Sequence, residues 1–401
     1  MSDTFDALKK REEALLCRTY GRYPLAVKSA LGARLYDFDG REYIDLLAGI
    51  AVTNVGHCRS ELADVVAEQA RKLVHVSNLF YQEEQLVLAE KLLATNHFTK
   101  VFFCNSGAEA NEAAIKIARR YAQRVKGRDA GEIITFTGAF HGRTLATVAA
   151  TGQAKFQDGF APIPTGFRQV EWGNLEALAE AMGPQTAGVL VEIVQGEGGV
   201  RPMTAEFAKG IQKLCRERGV LFMVDEIQTG LCRTGKFWAF QNYGLEPDVA
   251  TSAKALANGL PMGAMMTTDE VARGFEPGSH ATTFGAGATM SAVAAKVIDI
   301  MRDEKLDERA AELGEYAMGL FRSIGERHPG TIAEVRGMGL MIGVVLAFPG
   351  QEIWKALMAK GFVLNLTQER VLRLVPPLVI AREDIDAFAA ALEELLAAHT
   401  V

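Results

Sequence analysis

The spacing of hydrophobic residues changes period along this chain, and each change marks a different kind of element. Phe5, Leu8, Leu15 and Leu16 recur at near-helical spacing, predicting a short amphipathic helix before the turn at Tyr23-Pro24. The stretch RLYDFDGREYIDLL alternates on both sides of Asp39-Gly40, a dipeptide that supplies the positive φ angles of a tight hairpin. From about Ser60 to Met301 the pattern becomes helix, short apolar strand, helix. The runs KVFFCN, EIITF, AGVLVEIV, VLFMVDEI, DVATS and GAMMTT predict a mostly parallel sheet covered by helices on both faces, an α/β architecture. After Met301 the pattern predicts a charged helix (Asp303 to Arg327), the strand-like GLMIGVVLAF, a helix near Trp354, the strand RVLRLV and a last helix from Arg382. This end reads as a smaller α+β unit. The expected division is 1–59 (helix and hairpin, joined to the smaller unit), 60–302 (the large α/β domain) and 303–401. No Ser/Gly linker separates these parts, so they are expected to pack together tightly.

Composition narrows the function classes. With 401 residues against about 150 per domain, and 49% of them hydrophobic, a large buried core is expected. A net charge of -6, with both signs spread along the chain, leaves no electrostatic footprint for nucleic acid. The five cysteines include no C-x-x-C pair, which argues against a zinc ribbon or disulfide framework and for a reducing compartment. The first residues, MSDTFDALKKREEALL, lack the apolar stretch of a signal peptide, and no later apolar run reaches about 18 residues. A soluble, cytoplasmic protein with no membrane partner is expected. No H-E-x-x-H occurs, and His57, His75 and His97 read as structural, so no metal is expected.

Several segments carry candidate chemistry. Lys254 and Asp248 are the charged residues of PDVATSAKALANGLPMGAMMTT. A desolvated amine there is suited to Schiff-base chemistry, while a lysine snorkelling to the surface is the plainer alternative. Asp225 and Glu226 close an apolar strand and point to opposite faces, so one of them can meet a ligand; a protonated pyridine nitrogen is one cation that would pair with it. The turn Ser106-Gly107-Ala108 opens a helix whose backbone N–H groups suit a phosphate, although Ser106 and Glu109 also match a capping box. In TGAFHGRT, Phe140, His141 and Arg143 set an aromatic face beside a cation, as a planar anionic ligand requires; a structural loop is the alternative. Glu192 reads as a half-buried strand residue and Glu197 as a turn residue. Arg373, between apolar neighbours ahead of Pro376-Pro377, is either an edge-strand arginine or a carboxylate clamp. Phosphate cup, aromatic plate, carboxylate for a ring nitrogen and a lysine downstream together specify pyridoxal phosphate.

With these residues assembled, the chain resembles the class III, fold-type I pyridoxal-phosphate aminotransferases. The resemblance runs from about Tyr20 to the last helix through SGAEANEAAIKIAR, FHGRT, VEIVQGEGGV, VDEIQTGLCRTG, SAKALANGLPMGA, TTFG and RLVPPLVI. It implies that Lys254 holds the cofactor and then carries the proton between substrate carbon and cofactor. Asp225 would keep the pyridine nitrogen protonated, Gln228 would contact the ring hydroxyl and Phe140 would stack on the ring. Ser106, Gly107 and Ala108 would form the phosphate cup, with Thr283 reaching it from the neighbouring subunit of a homodimer with shared active sites. Arg143 would hold the donor's distal carboxylate. Arg373 would bind the α-carboxylate of glutamate or 2-oxoglutarate, and Glu197 would neutralise it when the other substrate is bound. The implied reaction moves the δ-amino group of N-acetylornithine to 2-oxoglutarate, a step of arginine biosynthesis. Succinylornithine, succinyl-diaminopimelate, 4-aminobutyrate or ornithine are the sister donors, and a semialdehyde aminomutase is the more distant alternative. Two positions depart from the family. Gly285-Ala286-Gly287-Ala288 stands where Gly-Asn-Pro is common after TTFG, and Arg22 stands where ornithine-type relatives carry tyrosine.

Overall fold

The computed structural model describes residues 3–399. Its centre is a seven-stranded sheet in the order Lys100–Cys104, Gly263–Thr267, Val249–Ser252, Leu221–Asp225, Thr186–Glu192, Glu132–Phe136, Phe167–Val170. Gly263–Thr267 runs antiparallel to both neighbours, and the other pairings are parallel. The three middle strands are buried at every position, which is why they read as unbroken apolar runs rather than alternating ones. Each predicted strand of this region is present. The edge strand Phe167–Val170 has no match among the predicted strands, because FRQV is polar at its two exposed centre positions.

Helix Gly107–Arg120 lies against the sheet through Ala110, Ala113, Ala114, Ile117 and Ala118, small residues that let it approach closely. On another side, Ala288–Asp303 packs on Ser60–Lys72 and Glu83–Leu93. The chain termini build the rest. Hairpin strands Arg34–Asp37 and Glu42–Asp45 turn through Gly40 at φ +82°, and Phe362–Val363 adds in parallel to the second of them. One sheet thus holds residues from both ends of the chain. A second, antiparallel sheet has the order Ile332–Met338, Met341–Leu346, Val371–Leu374, Asn365–Thr367. Its first strand escaped the sequence reading because Glu334, Arg336 and Gly337 interrupt any alternation. The charged helix expected from Asp303 begins at Leu306, after Lys305 breaks the preceding helix at φ +49°. One continuous buried cluster includes Leu46 near the hairpin, Val224 in the large sheet, and Leu372 and Phe388 near the C-terminus. Among the described residues, no helix is long and apolar enough to cross a membrane, and no cluster of three His, Cys, Asp or Glu side chains could hold a metal ion.

Candidate active site

The C-terminal ends of the parallel strands open on one cavity of about 320 Å³, where open α/β sheets place their ligands. Gly107, Ala108, Phe140, Glu197, Asp225, Gln228 and Lys254 line it together although they lie up to 147 residues apart, 254 minus 107.

Asp225 ends its strand with its carboxylate buried. Oδ2 accepts from the Nδ1 of His141 and from the Nδ2 of Asn111, both at 2.8 Å, and Oδ1 accepts from the Ile227 N–H at 3.1 Å. Asn111 is itself oriented by the Thr251 hydroxyl, which donates to its carbonyl at 2.8 Å. Burial pushes the His141 ring towards neutrality, but the hydrogen bond and charge of Asp225 outweigh it and raise the pKa. Glu226 faces the other way, accepting from the Phe240 N–H and the Thr229 hydroxyl, and burial lifts it to about 7. The strand therefore assigns the cavity to Asp225 and leaves Glu226 as an internal brace.

Lys254 opens a single 3₁₀ turn at φ +42°, an uncommon backbone for a residue with a Cβ. Its half-buried side chain lies in the cavity rather than snorkelling to the surface. Desolvation lowers its pKa, against an opposing pull from Asp225. Such an amine is the nucleophile that Schiff-base chemistry needs.

At the head of helix Gly107–Arg120, the Ser106 hydroxyl accepts from the Glu109 N–H at 3.2 Å. Glu109 Oε2 accepts from the Asn105 N–H at 2.8 Å and from the Ser106 hydroxyl at 3.2 Å, so the backbone bond of the expected capping box goes to Asn105 instead of Ser106. A Cβ on Gly107 would sit 2.8 Å from the Ile227 side chain, so any larger residue there must push Ile227 aside. Capping and an open N-terminus coexist: Ser106, Gly107 and Ala108 line the cavity at the end of the helix where backbone N–H groups lack intrahelical acceptors.

Phe140 is half-buried beside Phe156, ring centroids 5.4 Å apart, and its N–H is held by Glu192 Oε2 at 3.1 Å. Glu192, expected to be half-buried, is buried, because the sheet continues on both sides of its strand. Two buried polar atoms at the cavity lack a partner, the Oε1 of Gln228 and the Nε2 of His141. An unpaired acceptor at Gln228, a carboxylate at the strand end, a helix head opened by Gly107 and a desolvated lysine match the hydroxyl, ring nitrogen, phosphate and aldehyde of pyridoxal phosphate, so the residues fit that group.

Glu197 pairs with Arg373, Oε1 to Nη1 at 2.7 Å, while the Arg373 Nε is buried without a partner. Burial would raise the Glu197 pKa, yet Arg373 and then Lys254 bring it below the usual carboxylate value. Arg143 is exposed outside the cavity lining, its guanidinium over the rings of Phe156 (4.2 Å) and Phe140 (5.5 Å). Thr283 is also outside this chain's cavity; it lines a separate surface depression with Asn78 and Gly285, bordered by exposed Phe284 and Leu79. The 285–288 departure has its own support. Asn78 donates to the Gly285 carbonyl at 3.0 Å and Gln85 to that of Ala286 at 2.9 Å, and a Cβ on Gly285 would meet the Phe103 carbonyl. Arg22 lies at the surface, paired with Glu12. His57 pairs with Asp45, His97 bonds the Pro247 carbonyl and His75 packs on Phe284.

Sequence reading overlooked Asn111 and undervalued His141 and Glu192. A polar residue on the apolar face of an alanine-rich helix was the available signal for Asn111.

Residues 16–396 match the family model for class III aminotransferases. An acetylornithine aminotransferase of Methanocaldococcus jannaschii is 44% identical over 376 residues, covering 94% of each chain. Among solved structures, ornithine aminotransferase of Toxoplasma gondii superposes with a TM-score of 0.95 at 31% identity, covering 99% of this chain and 96% of that one. Acetylornithine aminotransferase of Elizabethkingia anophelis gives 0.88 at 30% identity, covering 98% and 99%.

Proposed function

The chain belongs to the class III aminotransferases, enzymes dependent on pyridoxal phosphate, and on that premise we propose that it transfers the δ-amino group of N-acetylornithine to 2-oxoglutarate. The observation that carries this reading is the Glu197–Arg373 pair beside Lys254. It is a carboxylate-binding arginine with its own removable cover, as a site needs when it must accept one substrate with a carboxylate next to the reacting carbon and one without. The names of the relatives point to the same donor.

The cofactor, when bound, supplies an electron sink for the charge that develops at the substrate carbon. The chain's own residues do the rest. Lys254 would hold the cofactor through its amine, which desolvation makes easier to deprotonate, and would move the proton at the reacting carbon. Asp225, locked by His141 and Asn111, keeps a proton on the ring nitrogen. Gln228 offers its free acceptor to the ring hydroxyl, Phe140 covers one ring face, and Ser106, Gly107 and Ala108 receive the phosphate at the positive end of the helix. Arg143 and Arg373 take the two carboxylates of 2-oxoglutarate, and Glu197 covers Arg373 while N-acetylornithine reacts.

Thr283 acts from the partner subunit of a homodimer, a reading supported by its absence from this chain's own cavity lining and by exposed Leu79 in the same depression and exposed Phe284 next to it in the chain. Residues 60–302 form the cofactor-binding part, with 1–59 and 303–401 as the smaller part, and the enzyme works in the cytoplasm. The test is a panel of single half-reactions: holoenzyme mixed with N-acetylornithine, succinylornithine, succinyl-diaminopimelate, ornithine or 4-aminobutyrate while the absorbance of the bound cofactor is followed. N-acetylornithine should react fastest; a faster reaction with another amine reassigns the donor.

A further inference from the structure

Thr186–Glu192 and Leu221–Asp225 run side by side with Glu192 opposite Asp225, so the two carboxylates leave the sheet on the same face at its active edge. Asp225 is engaged by His141 and Asn111. Glu192 does something different: Oε2 accepts from the Phe140 N–H at 3.1 Å and Oε1 from the Gly196 N–H at 3.3 Å. It thereby bridges two loops, one bearing the aromatic plate and the other carrying Glu197. Gln195 joins the same loops a second time. Its Nε2 donates to the Thr137 carbonyl at 2.9 Å, and a Cβ on Gly138 or Gly198 would come within 2.9 or 2.8 Å of its Oε1. Only a carboxylate can serve as the Glu192 bridge, because it accepts at both oxygens. An amide or a protonated acid turns one end into a donor facing an N–H.

We propose that Glu192 is a positioning residue that fixes Phe140 and the Gly196–Glu197 turn relative to each other and so keeps Glu197 seated on Arg373. This rests on the reading of Arg373 as the α-carboxylate site. With the turn released, Arg373 is left uncovered for part of the time. That favours donors that bring a carboxylate next to the reacting carbon, such as glutamate, over N-acetylornithine, which does not. The charged groups facing Glu192 are Asp225, His141 and Lys254. Burial raises its carboxyl to about 7, with His141 opposing and Asp225 adding to the rise. Glu197 is held lower and stays ionised as Glu192 gains its proton.

The test combines amide hydrogen exchange and donor competition on holoenzyme, wild type against Glu192→Gln. Amides of 138–142 and 196–199 should both exchange roughly tenfold faster in the variant. The ratio of kcat/KM for glutamate to that for N-acetylornithine should rise by about the same factor. In wild type that ratio should rise as pH falls through about 7, and in the variant it should be flat. Protection lost in one segment alone or in neither, or an unchanged ratio that keeps its pH dependence, overturns the proposal. If the variant does not fold, the wild type alone decides: no change between about pH 6 and 8 in the ratio or in the protection factors of the two segments, corrected for the intrinsic pH dependence of exchange, refutes it. If N-acetylornithine is no donor at all, the substrate reading falls, and the exchange of the two segments still decides the role of Glu192.

Discussion

Arg373 and Glu197 meet at the cavity with Nη1 2.7 Å from Oε1, the arginine side chain 1% exposed and the glutamate side chain 31%. An ion pair so unequally buried opens from one side: Glu197 can turn towards solvent, whereas Arg373 has nowhere to go. Losing one partner of a desolvated pair costs on the order of 3 to 5 kcal/mol, about two to four powers of ten in rate. Arg373→Ala should therefore slow the 2-oxoglutarate half-reaction by such a factor and the N-acetylornithine half much less, as read in single-turnover kinetics. Equal losses in both halves would refute the switch.

Arg143 rests on two aromatic rings and has no ion pair among the described residues, so its charge is available to a ligand. Its proposed role on the distal carboxylate serves both substrates. Arg143→Ala is expected to slow both half-reactions by about two powers of ten or more. A loss in only one half would contradict that role.

Lys254 is strained twice, by its positive φ and by desolvation. Lys254→Met should abolish turnover, by at least about a thousandfold, and remove any borohydride-reducible link to the cofactor. The same change should stabilise the apoenzyme. A lysine whose pKa is lower folded than unfolded makes the unfolded state bind more protons, so its penalty is largest at neutral pH and shrinks as pH rises towards 10.5. The melting temperature of the apo variant should exceed that of apo wild type by about 2 °C at pH 7, with the gap closing at higher pH. A lower Tm at pH 7 would count against desolvation.

Asp225→Asn presents either an N–H₂ or a lone carbonyl to two donors, His141 and Asn111, that now converge on a carboxylate. We expect weaker cofactor binding and a fall of about two to three powers of ten in the first half-reaction, because a neutral amide cannot hold a proton on the ring nitrogen. An unchanged single-turnover rate would sink the assignment.

The position of Thr283 outside its own chain's cavity sets up a mixing experiment. If it serves the neighbour's phosphate site, a heterodimer of Lys254→Ala and Thr283→Ala chains has one site with both lesions and one with neither, so up to about half the wild-type activity per dimer returns. No recovery after confirmed subunit exchange between two inactive parents would contradict the shared site.

The order of elements was readable because period reports burial locally. AGVLVEIV is unbroken because its strand is covered on both faces, and Gly40 gives the hairpin its positive φ, although Asp39, expected to share it, does not. The identity of Asp225, Lys254, Gly107 and Phe140 as one group was likewise legible, since each carries its chemistry in its neighbours along the chain. Which strand-end carboxylate faces the cavity could be narrowed to Asp225 or Glu226 by alternation; the sheet's placement chose Asp225. The strand Ile332–Met338 had no local signal, because its partner strand, rather than its own side chains, determines its conformation. Only tertiary structure could show that Glu192 holds the Phe140 and Gly196 loops or that His141 and Asn111 lock Asp225, whereas the meeting of Arg373 with Glu197, 176 residues away, was implied by the family resemblance and not by the local sequence. Hydrogen bonds and ion pairs between distant segments depend on where the sheet brings its strand ends, and that is decided by the packing of the whole core.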